Sequence, residues 1–132
     1  MSIELPRVFF ENAISKFSDA TKGYVALEVF HSEFENEFMV KCSLQSKFVS
    51  RYKLDVVEFK YGIAMYPVTV CIFDNTIAKE VGVQSYDSIF ASQLTCKNKD
   101  EFFRLIESLF LSNTFIKTVS DLIKLAQVNS AR

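Results

Sequence analysis

The chain has 132 residues, 49% of them apolar and 23% charged, with 15 Lys plus Arg set against 16 Asp plus Glu. That balance excludes a disordered or low-complexity chain, and the length suits a single domain over 1–132 whose core closes without disulfides or a metal. The formal charge of −1 is spread evenly, so nothing marks a nucleic-acid binder; Lys47, Arg51, Lys53 and Lys60 are interrupted by Asp55 and Glu58 and read as a solvated strand face.

The elements follow from periodicity. Phe9, Phe10, Ala13, Ile14 and Phe17 recur at spacings of three and four, which predicts a helix over 5–17, with Pro6 in the first turn where a missing N–H is tolerated. Gly23, free to take positive φ, is the expected turn into a strand. Alternation of period two then predicts strands over 24–30 and 38–44, joined by a polar hairpin loop at 31–37. A third strand is expected over 52–61 and a fourth over 63–73, with Gly62 near their turn and Pro67 confining the fourth to an edge, a bulge or a late start. Asp74-Asn75 opens a turn or short helical piece up to Gly82, and 88–96 reads as a fifth strand.

From Asn98 the period changes again. Asn98 with Glu101 three residues on makes a capping-box-like start to a stripe of Phe102, Leu105, Ile106, Leu109 and Phe110. Ser112-Asn113 interrupts or bends it, and Phe115, Ile116, Val119, Leu122, Ile123 and Ala126 form a second stripe that fades into a polar tail from Gln127, flexible over about 128–132. The expected fold is therefore α+β: an N-terminal helix, about five mainly antiparallel strands in one sheet, and two C-terminal helices packed on one face.

No linear motif names an activity. Cys42, Cys71 and Cys96 are far apart in apolar segments and read as buried free thiols, and without C-x-x-C or a second histidine no zinc site is expected. His31 lies among Glu28, Glu33, Glu35 and Glu37, where a proton shuttle or divalent-metal site is conceivable, but a charged surface loop is the preferred reading. Gly23, Gly62 and Gly82 are too scattered for a phosphate loop, and Asp100-Glu101 suits a helix start. No cofactor is expected, and catalysis is the less favoured reading. The opening MSIELPRVFFENAISKF lacks a positive segment followed by an apolar one, and no apolar run nears the ~18 residues of a membrane span, so a cytoplasmic protein that engages neither membrane nor nucleic acid is expected.

The unusual feature is 14 Phe and 5 Tyr with no Trp. Most fall on inward stripes, but Phe30, Phe34, Phe48 and Tyr52 do not, and this points to a second apolar surface. The favoured function is a non-catalytic protein-interaction domain, homodimeric or holding another polypeptide. Glu33, Phe34, Glu35 and Glu37 are its candidate partner-binding residues, and Phe110, Phe115, Val119 and Ile123 a dimer or helix-packing face. The alternative is a small apolar-ligand binder with an aromatic-lined cavity between sheet and C-terminal helices, for which Tyr24, Tyr61, Tyr66 and Gln93 are candidate lining residues.

In size and α+β character the chain is similar to small acidic secretion chaperones and to toxin-neutralising immunity or inhibitor proteins, a likeness of architecture that transfers no residues. It also resembles helix-grip lipid-binding folds in ending with a meander and a long helix, but it opens with a helix where those folds open with a strand.

Overall fold

A computed structural model describes residues 5–49, 52–82 and 92–130. Pro6 opens helix α1 (Pro6–Ile14), which turns Phe9 and Phe10 into the core. Where spacing alone predicts one helix to Phe17, α1 stops early, because the Ser15 hydroxyl and N–H both turn back to the Asn12 carbonyl at 2.9 and 3.3 Å. A short α2 (Phe17–Ala20) follows, and Gly23, at φ +76°, closes the expected turn with its N–H on the Ser18 carbonyl at 2.8 Å.

Five strands then form one antiparallel sheet in meander order: β1 (Ala26–Phe34), β2 (Glu37–Gln45), β3 (Lys53–Tyr61), β4 (Val68–Ile72) and β5 (Ser92–Cys96). The inner face is read directly from alternation: Phe38, Val40, Cys42 and Leu44 on β2, and Val68, Val70 and Ile72 on β4. On β3 the apolar residues change phase, from Leu54 and Val56 to Val57, Phe59 and Tyr61. A bulge reconciles them, since Cys42 pairs with Val57 but Ser43 with Asp55, leaving Val56 as the extra residue. Pro67 acts through the late-start option, and β4 begins at Val68. The expected beginning of the fifth strand at 88–91 lies outside the described residues.

Helices cover the inner face. Between β4 and β5 the short α3 (Asn75–Glu80) is capped by Asp74, whose carboxylate accepts from the N–H groups of Thr76 and Ile77 at 2.8 and 2.9 Å. Helix α4 (Lys99–Phe110) starts as its sequence predicts: Asn98 accepts from the Glu101 N–H at 2.9 Å, and the Glu101 carboxylate accepts from the Lys97 N–H at 2.6 Å. Phe10 of α1 and Phe102 of α4 both rest on Phe59, with ring centroids 5.2 and 5.0 Å apart.

Ser112 ends the α4 stripe and accepts from the Phe115 N–H at 3.2 Å, so Ser112-Asn113 separates two helices rather than bending one. Helix α5 (Asn113–Ser130) packs Phe115 against Phe110 and Phe17, and the Glu80 carboxylate of α3 receives both the N–H and the hydroxyl of Thr114. Those two hydrogen bonds lower the Glu80 pKa. Where the fading stripe predicts a tail, α5 continues through Val128–Ser130, and Asn129 anchors it by donating to the Phe48 carbonyl at 2.8 Å. Among the described residues no helix is long and apolar enough to cross a membrane.

Candidate functional site

The segment that the sequence presents as an acidic loop is mostly strand. Pairing of β1 with β2 runs without interruption from Ala26↔Gln45 to Phe34↔Glu37, so only Glu35-Asn36 remain as the turn. Both take positive φ, +48° and +67°, as a two-residue type I′ hairpin requires. Asn tolerates that conformation, whereas Glu is strained in it, because its Cβ approaches the following carbonyl. Replacing Glu35 by Asn is therefore expected to raise stability by about 1 kcal/mol, read as a higher urea midpoint at unchanged slope.

Hairpin geometry also fixes which backbone groups of β1 face outward. The Phe34↔Glu37 pair flanking the turn is hydrogen-bonded, so by alternation Phe34, Ser32, Phe30 and Glu28 direct their N–H and C=O groups to β2. Leu27, Val29, His31 and Glu33 direct theirs away from the sheet. β1 is an edge strand, and among the described residues none of these outward groups has a backbone partner.

Side chains on this edge divide between the faces. Leu27 and Val29 pack on the core and His31 and Glu33 continue that inner row, while Phe30 and Phe34 stand on the outer face, 60% and 75% exposed. Nearby, Lys41 pairs with Asp55 at 3.3 Å, and the Lys53 ammonium lies 5.8 Å from the Phe30 ring centre. Burial pushes the Asp55 carboxyl up, but the Ser43 hydroxyl together with Lys41 and Lys53 outweighs it and holds the pKa below the usual value. The basic cluster expected as a solvated strand face is thus partly neutralised by its own carboxylates; Arg51 lies outside the described residues.

Beside the inner row, the first turn of α1, the hairpin and the end of β3 enclose a cavity of about 440 Å³ lined by Leu5, Arg7, His31, Phe38, Val40 and Tyr61, among others. The Arg7 guanidinium lies 3.5 Å from His31 Nδ1, which accepts if its ring proton is on Nε2. Arg7 Nε is 3.8 Å from the Glu11 carboxylate and has no hydrogen-bond partner among the described residues. Burial pushes the Tyr61 phenol up, partly offset by the backbone N–H and guanidinium of Arg7. Arg7 carries no sequence signal, because it meets His31 and Tyr61 only through the fold.

The structure places the remaining candidate residues as follows. Glu33, Phe34, Glu35 and Glu37 gather at the tip of the β1–β2 hairpin. Phe110, Phe115, Val119 and Ile123 all pack against the chain's own core, as a helix-packing face. Tyr24, Tyr61, Tyr66 and Gln93 are not brought to one place: Tyr24 packs on Phe48, Tyr61 stacks on Phe38, Tyr66 packs against the core, and Gln93 stands exposed on β5. Burial pushes Cys42 up to about 12 and Cys96 up to about 11 and raises Cys71, so each is held as a protonated thiol. Among the described residues no three His, Cys, Asp or Glu side chains cluster as metal ligands.

No family model matches this chain, and no curated protein or solved structure matches it.

Proposed function

We propose that this protein is a non-catalytic polypeptide-binding domain that receives an extended strand along β1. The observation that carries the reading is the nine-residue edge strand itself, paired on one side only among the described residues and carrying two exposed phenylalanines. Edge strands in folded proteins are commonly blunted by lysines, prolines, bulges, shortness or inward-pointing charges; β1 has none of the first four, and its inward-pointing charge, Glu33, lies at the hairpin end. Added strands take their affinity from main-chain hydrogen bonds and their selectivity from alternate side chains. Here Phe30 and Phe34 supply the apolar positions, and Glu33, Glu35 and Glu37 favour a basic approach at the hairpin tip.

The test is to titrate isotopically labelled protein with a nine-residue peptide alternating valine and lysine. Amide shifts are expected at Leu27, Val29, His31 and Glu33. Replacing His31 by Pro removes an outward N–H without breaking the β1–β2 ladder, and is expected to weaken binding at least tenfold, while His31→Ala, which keeps the N–H, leaves it intact. Absence of shifts at millimolar peptide, or undiminished binding in His31→Pro, would overturn the reading.

A second reading rests on the cavity beside α1. Its apolar walls suit a small apolar ligand whose one anionic end pairs with Arg7 and His31 and keeps away from the Glu33 carboxylate that also lines the cavity. Titration with decanoate separates the two: shifts confined to Leu5, Phe38 and Tyr61 would favour the cavity.

A further inference from the structure

We infer that the strand received by β1 is β1 of a second copy of this chain, paired antiparallel about a two-fold axis through Phe30. The inference rests on the reading of β1 as a docking edge and names its partner. Its support is the pattern of charge and apolar residues along that edge.

The edge is electrically polar along its length through the residues around β1, although Glu28, which accepts from Gln45, adds one carboxylate near the basic end. Its hairpin end carries Glu33, Glu35 and Glu37, and the opposite end lies beside Lys22, Lys47 and Lys53, which precede Ala26, follow Gln45 and pair with Gln45 respectively. All six are exposed. Antiparallel pairing of two copies sets the acidic end of each on the basic end of the other, whereas parallel pairing would set like charges together.

Register follows from side-chain parity. A two-fold normal to the sheet must pass through one residue of β1, so that facing residues lie on the same side. Through Val29, Phe30 faces Glu28 of the other copy; through His31, Phe34 faces Glu28 and two imidazoles oppose each other. Through Phe30, the two Phe30 rings face each other, Phe34 faces Ala26, Glu28 faces Ser32 and Glu33 faces Leu27. Of these three registers only the last gives both exposed phenylalanines an apolar partner and keeps every glutamate off another carboxylate; an axis through Ser32 would also set Phe30 on Phe34, but it pairs residues 30–34 alone, whereas the axis through Phe30 pairs the whole strand, Ala26–Phe34. The outward groups of Val29 and His31 then hydrogen-bond across the axis, and ten strands form one continuous sheet.

The axis makes the register testable. Phe30 directs its backbone toward β2, so the Phe30 pair across the axis is of the non-hydrogen-bonded kind, with Cα atoms about 4.5 Å apart. That separation lies within the range of about 4.4–6.8 Å that a disulfide spans. Ser32 would lie roughly 14 Å from its own copy at about 3.4 Å per residue, too far to be bridged.

The experiment is native mass spectrometry and non-reducing electrophoresis of the full chain in a Cys71→Ser background. Expected are a dimer at twice the 15.1 kDa chain mass, a disulfide-linked dimer after mild oxidation of Phe30→Cys, no such product from Ser32→Cys, and a folded monomer for His31→Pro. A wild-type monomer at millimolar concentration, a dimer that survives His31→Pro, or cross-linking by Ser32→Cys in place of Phe30→Cys would each overturn it. A monomer would leave the edge reading to be judged by the peptide titration alone, so the two fail separately.

Discussion

Replacing Phe59 by Ala is expected to remove about 3–5 kcal/mol of stability, the range for deleting a fully buried phenyl ring. Phe59 is 0% exposed and stands where three elements of the fold meet: β3 of the sheet, Phe10 of α1 and Phe102 of α4. Both partner rings meet it edge-on, so their neighbours cannot slide inward to fill the space without losing that geometry. The check is urea unfolding by circular dichroism beside Phe34→Ala on the hairpin. Phe34 is 75% exposed, and its removal should change stability by no more than about 0.5 kcal/mol. Equal midpoints for the two variants would show that the aromatic cluster does not hold the helices to the sheet.

Phe115→Glu should be more damaging still. The residue is 3% exposed, packed against Phe110 and Phe17, and its N–H is held by Ser112 at the start of α5. Substitution removes the ring's burial and places a carboxylate among aromatic rings, a loss of several kcal/mol against a total of about 5–15 kcal/mol for a domain. The variant is expected to be largely unfolded at pH 7.5, seen as lost dispersion of amide resonances. Burial raises a carboxyl pKa above its unfolded value of about 4.3, so the neutral form is the one tolerated. Stability of the variant is then retained at low pH and lost as pH rises through the raised value, and partial recovery near pH 4.5 is expected. Ile116→Glu, one residue on but 47% exposed, should fold at both pH values. A folded Phe115→Glu at pH 7.5 would show that this face of α5 is not part of the core.

How far the fold could be read in advance depended on the range of the signal. The spacing of Phe102, Leu105, Ile106 and Leu109, the Asn98–Glu101 cap and the alternation in Phe38–Leu44 are local, and each appears where expected. Misplaced boundaries have identifiable causes. The hairpin and its antiparallel pairing appear as expected, but its loop reads too long, at 31–37, because His31, Glu33, Glu35 and Glu37 are polar, although an exposed edge strand is free to be polar on both faces. The remaining signal was the two-residue spacing between Phe34 and Glu37, with Asn36 suited to positive φ. On β3, Leu54 and Val56 are out of phase with Val57, Phe59 and Tyr61, and this marks a bulge once the pairing partner is known. At the chain's end, helix α5 outlasts its apolar stripe because Asn129 is held by the Phe48 carbonyl, 81 residues away.

For the candidate site the division is the same. Composition and periodicity were enough to establish an α+β chain rich in phenylalanine, with one acidic hairpin and more apolar surface than a single set of stripes requires, because these properties reside in neighbouring residues. That Phe110, Phe115, Val119 and Ile123 turn inward while Phe30 and Phe34 stay outside was decided by packing: α5 folds back on α3 and α4, and nothing among the described residues covers the outer face beside β1. Arg7 reaches His31 across 24 positions, and among the described residues β1 is left with one unpaired side by a meander order that no short window of residues contains. Strand order and edges are properties of the closed sheet, set by which apolar faces can be buried together, and they exist only once the chain has folded.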